Sequence, residues 1–146
     1  MVHIEQDTIK LLKECDAGIK MGVSSIDDVF DNVKDAKLKA LLEESKTDHE
    51  VLKEDLQKLL DVYHDDGKEP NVMAKSMSWI KTNVKLAIED SDKTVAELMV
   101  DGCDMGVKSL SRYLNQYKAA DEKSKDIAKK LITIEENLSK NLREYL

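Results

Sequence analysis

Apolar residues recur every three or four positions along nearly the whole chain, and that spacing leaves few folds open. From Ile9 they fall at 9, 12, 19, 23, 26, 30 and 33. Such a period places one apolar stripe along one side of a helix. No stretch alternates as a half-buried strand does. One proline (Pro70) and five glycines also supply too few turns for an all-β chain. The spacing predicts four long helices and one shorter one. The first runs from about Ile9 to Val33, with Asp7 as its N-cap. The second carries Leu38, Leu42, Leu52, Leu56, Leu59 and Tyr63, and stops at Gly67 with Pro70 just beyond. A shorter run from Val72 to Ile88 has Met73, Met77, Ile80, Val84 and Ile88 on its face and Trp79 beside it. After a break at Ser91-Asp92, a helix spans about 93 to 118. A last one follows Ala120-Asp121 and carries Ile127, Leu131, Ile134, Leu138, Leu142 and Tyr145.

The chain has 146 residues, enough for one domain with a core. Its 30 acidic and 23 basic side chains give a formal charge of −7, which argues against a nucleic-acid partner. The basic run Lys123, Lys125, Lys129, Lys130 reads as the solvated face of a helix. No apolar stretch approaches the ~18–20 residues of a membrane span, and Met1 to Asp7 shows no leader pattern. Cys15 and Cys103 have no zinc-ligand spacing. The expectation is a cytoplasmic protein off the membrane, with two reduced buried thiols. A Cys15–Cys103 disulfide is the alternative.

Two segments repeat. Cys15-Asp16-Ala17-Gly18-Ile19-Lys20 resembles Cys103-Asp104-Met105-Gly106-Val107-Lys108 at an offset of 88. Thr47, Glu50, Leu52 and Leu56 meet Thr133, Glu136, Leu138 and Leu142 at an offset of 86. A helical hairpin thus occurs twice, at 7–66 and 92–146, joined through a crossover helix at 71–89. The 17 residues from 72 to 88 span roughly 25 Å as a helix, enough to carry the chain back along a bundle. The helix before the crossover and the helix after it would then run parallel. The architecture expected is an all-α bundle of two hairpins and one crossover.

The paired CDAGIK and CDMGVK segments, together with MSWIKTNVK in the crossover, resemble the ferritin-like four-helix-bundle superfamily over nearly the whole chain. They look closest to an uncharacterised bacterial branch, which has no established activity to transfer. The resemblance implies a di-iron site built from one Glu on each of two helices and Glu-x-x-His on the other two. This sequence departs from that pattern. Lys46 stands three before His49, and Leu138 stands three after Glu135.

A polar set remains at repeat-related places: Asp16 with Asp104, and His49 with Glu135. Three carboxylates and one imidazole suit Fe, Mn or Zn. The structural alternative makes Asp16–Lys20 and Asp104–Lys108 i,i+4 ion pairs, with His49 a neutral core histidine bonded to Ser45 or an Asp. Mid-helix glycines are costly, so Gly18, Gly22, Gly102 and Gly106 are expected where the first helix crosses its repeat.

Three functions follow as expectations. The first is a non-catalytic binding or assembly module without cofactor, with a homodimer as its expected assembly. The second is a metal-binding protein or oxidoreductase using Asp16, His49, Asp104 and Glu135. The third is a small-molecule binder with a pocket between helices. No nucleophile motif or phosphate loop appears.

Overall fold

The computed structural model describes residues 2–70 and 91–146, and every regular element among them is helical. Helix α1 spans Val2–Phe30, α2 Ala36–Val62, α3 Asp92–Gln116 and α4 Glu122–Leu142, followed by one 3-10 turn at Arg143–Tyr145. The expected crossover helix at 71–89, with Met73, Met77 and Trp79, lies outside the described residues. Among the described residues no helix is long and apolar enough to cross a membrane.

Local chemistry explains the helix ends. Asp35, Ser91 and Asp121 hold extended backbone, and each side chain accepts from the amide three residues on, at Leu38, Thr94 and Ser124. Each thereby satisfies an amide that the helix itself leaves unpaired. Asp7 does not cap α1, which starts earlier. It lies within the helix, and its carboxylate accepts from the Ala119 amide at 3.1 Å. Nor does Gly67 end α2. His64 takes the left-handed conformation there (φ 54°), and the Asp65 amide closes onto the Leu60 carbonyl at 3.0 Å. Gly67 (φ 86°) turns the loop that follows.

Bonds between the two hairpins fix the helix directions. At one end Asp92 accepts from the Lys34 and Asp35 amides at 2.8 and 3.0 Å, so α3 starts beside the α1–α2 turn. At the other end the Thr8 hydroxyl accepts from the Asp121 amide at 2.8 Å, so α4 starts beside the beginning of α1. Helices α1 and α4 therefore run one way, and α2 and α3 the other. Both α2 and α3 pack against α1 and α4, and α1 also touches α4 across the bundle.

The apolar stripes meet in two blocks. One holds Leu11, Ile19, Leu56, Leu60 and Leu131, the other Ile26, Leu38, Leu42, Val95 and Leu142. Burial of each such side chain stabilises by about 1.5–3 kcal/mol. Between the blocks, all four helices change character at one level. There the stripe positions are Gly22 on α1, Ser45 and His49 on α2, Gly106 on α3 and Glu135 on α4.

Candidate functional site

His49 is fully buried and Glu135 is 8 % exposed. Their side chains meet, with Nε2 of the ring 2.8 Å from Oε1 of the carboxyl. The other ring nitrogen, Nδ1, lies 2.7 Å from the Ser45 carbonyl one turn back. A carbonyl oxygen only accepts, so Nδ1 carries a proton. The pair then holds its next proton between Nε2 and Oε1. Burial pulls the imidazole pKa down. The Glu135 hydrogen bond and charge, helped by the Ser45 carbonyl, outweigh burial and hold it above its ordinary value. Imidazolium facing carboxylate is the state this geometry favours.

Two neighbours complete the layer. Cys103, buried on α3, hydrogen-bonds the same carboxylate. Burial first, and then the charge of Glu135, push its pKa far up, so it stays a thiol. A reactive cysteine needs the opposite shift. Gly22 supplies room. A Cβ there would fall 2.5 Å from His49 Nε2 and 2.9 Å from Cδ2, so the imidazole fills the space an α1 side chain would need.

Asp16 serves a different place. It is 2 % exposed and sits six residues before Gly22, about 9 Å away along the helix axis. Its Oδ2 takes Lys20 Nζ at 2.8 Å and the Lys68 amide at 3.0 Å. It thus anchors the loop after α2 onto α1. Lys20 continues to Glu69 at 3.1 Å, and Lys68 pairs with Glu14. Gly67 presses directly against the Asp16 carboxylate, leaving no space for a Cβ. Asp104 is exposed and accepts from the Ser139 hydroxyl at 3.1 Å, not from Lys108. Of the four candidate ligands, the structure brings together His49 and Glu135 and keeps Asp16 and Asp104 apart from them. Among the described residues no group of three or more His, Cys, Asp or Glu is placed to hold a metal ion.

The glycines do not form one crossing of α1 with α3. Gly18 faces Leu131 of α4 at 3.3 Å, Gly22 faces His49, and Gly106 faces Glu135 at 3.8 Å. Gly102 is exposed with nothing within 4 Å. Side chains from α2 and α4 fill the notches, where the sequence suggested close backbones. Cys15 and Cys103 are both free and belong to opposite core blocks. Burial, then Glu14 and Asp16, push the Cys15 thiol up to about 12.

Sequence reasoning missed the Cys103–Glu135 contact and the service of Gly22 to His49. The offset of 86 that pairs His49 with Glu135 was the available signal, because repeat-related residues in facing helices share a level. The chain matches no protein-family profile, no curated protein and no solved structure.

Proposed function

We propose that this chain is a ferritin-like bundle in which the metal-bearing layer has been replaced by a structural one, and that it acts as a non-catalytic binding or assembly module. The helix directions support the ferritin-like reading, since α1 with α4 and α2 with α3 is the pattern that one crossover produces. The observation that carries the functional reading is the mutual saturation of His49 and Glu135. Nε2, the nitrogen left to ligate a metal, is turned onto the carboxylate at 2.8 Å. A ligand must offer a lone pair, and the proton held in this pair blocks it.

A second reading, a weak Fe, Mn or Zn site or an oxidoreductase centre, draws on the same contact. His49 and Glu135 come from different helices, and Cys103 adjoins them from a third. Thermal unfolding with added Fe(II), Mn(II) or Zn(II) separates the two. A ligand that binds only the folded chain raises the melting temperature. The module reading expects no rise and no metal adduct in native mass spectra. A stoichiometric metal adduct that disappears in His49→Ala would instead establish the second reading.

A further inference from the structure

Two exposed valines stand on one line of α2. Val51 is 56 % exposed and Val62 69 %. Eleven residues apart, they lie three helical turns from each other on nearly the same side. Val51 also floors an open groove of about 530 Å³ between α2 and α4, together with Leu52 and Ile134. The α2 rim of this groove carries Asp48 and Asp55, and the α4 rim carries Asp126, Lys129 and Lys130. The face is therefore apolar along its middle, with Asp48 and Asp55 on the α2 ridge and Lys129 and Lys130 followed by Asp126 on the α4 ridge.

We propose that this α2–α4 face binds a second copy of the chain, related by a two-fold axis parallel to the helices. The charges select both the occupant and the axis. A two-fold parallel to the helices lays each α2 against the α4 of its partner at the same level. Because His49 stands level with Glu135 and the two helices are antiparallel, Asp55 stands level with Lys129. Asp55 of each copy then meets Lys129 of the other, twice over. A two-fold across the helices would instead set the α2 ridge, with Asp48 and Asp55, on itself and the α4 ridge, with Lys129 and Lys130, on itself. One turn further along, the signs on both ridges reverse together. Asp126 on α4 stands level with Lys58 on α2, so the parallel arrangement stays complementary there.

Size is adequate as well. Two helices of about 30 Å, each roughly 10 Å wide, offer about 600 Å² per copy, or about 1,200 Å² in total, at the lower end of stable interfaces. Of the exposed large apolar side chains among the described residues, Val51 lines this groove, Val62 continues its line along α2, and Ile4, Met105 and Leu146 lie elsewhere.

This inference rests on the assembly-module reading but fails separately from it. Metal titration decides the core, and sedimentation decides the face. The test is sedimentation equilibrium of the full chain and of two surface variants, Lys129→Glu/Lys130→Glu and Asp48→Lys/Asp55→Lys. All four positions are exposed, so both variants should keep the wild-type helical signal in circular dichroism. The wild type should sediment at twice the 16.5 kDa chain mass. Each variant alone should be monomeric, and an equimolar mixture should recover the dimer. The proposal is overturned by a wild-type monomer at about 100 µM, where even a micromolar Kd would leave it assembled. A dimer that survives both swaps overturns it equally, as do swapped chains that stay apart when mixed.

Discussion

Removing one member of the His49–Glu135 pair is a different perturbation from removing both. His49→Ala leaves a buried carboxylate with only the Cys103 thiol beside it. Stranding one charge of a buried pair costs about 3–5 kcal/mol. The double variant His49→Leu/Glu135→Met removes both charges and keeps the volume filled. It should recover most of that loss in chemical denaturation, and a double variant as unstable as His49→Ala would contradict the account. The pair also sets a pH dependence. The folded imidazole pKa lies above the ordinary 6.5, so the folded state binds this proton more tightly than the unfolded chain. Its contribution is therefore complete below the unfolded value and is lost as pH rises through the folded one. Denaturation from pH 6 to pH 9 should show wild-type stability falling relative to the double variant. A constant difference between the two would refute it. At this scale the sequence showed which residues share a level and that Asp16 could pair with Lys20, which lies 2.8 Å away. It did not show the second partner of Asp16, the Lys68 backbone amide in a loop, because amides leave no mark in a residue pattern.

Helix by helix, the glycines divide into those the packing needs and those it does not. At Gly22 a methyl would run into the His49 ring, a group that neighbours on every side hold in place. Gly22→Ala should destabilise the chain despite the better helix propensity of alanine. At Gly102 there is nothing to meet, so Gly102→Ala should stabilise by roughly 0.5–1 kcal/mol. Melting temperatures moving in the same direction for both variants would refute the assignment. The four glycines look equivalent in sequence, because spacing gives the face of a helix but not what stands opposite. Helix ends were legible where an Asp or Ser could reach its own amides, as at Asp35, Ser91 and Asp121. The start of α1 was not, because Asp7 is drawn to the Ala119 amide of the other hairpin.

Across the whole molecule, the all-helical class of the described residues followed from the apolar period together with the scarcity of proline and glycine. The directions of the helices rest on contacts that no local pattern encodes. Asp92 holds the turn of the first hairpin, and Thr8 and Asp7 hold that of the second. Each hairpin thus has its turn secured by the other, and the ends of the bundle are tied crosswise. The oligomer test belongs to this scale too, since it asks what covers an entire face.

The sequence repeat matches α1 with α3 and α2 with α4, pairs that run in opposite directions, so a two-fold across the helices is the operation that would relate the hairpins, and His49 and Glu135, 86 residues apart, meet where it would pass between α2 and α4. A residue on such an axis faces its own counterpart. Two first hairpins brought together would set imidazole against imidazole, and two second hairpins carboxylate against carboxylate, both buried. Only one hairpin of each kind gives opposite charges in that layer. The pair is therefore a lock on identity as well as a contact: it penalises exchange of like hairpins between chains, and favours the pairing that a single polypeptide makes with itself.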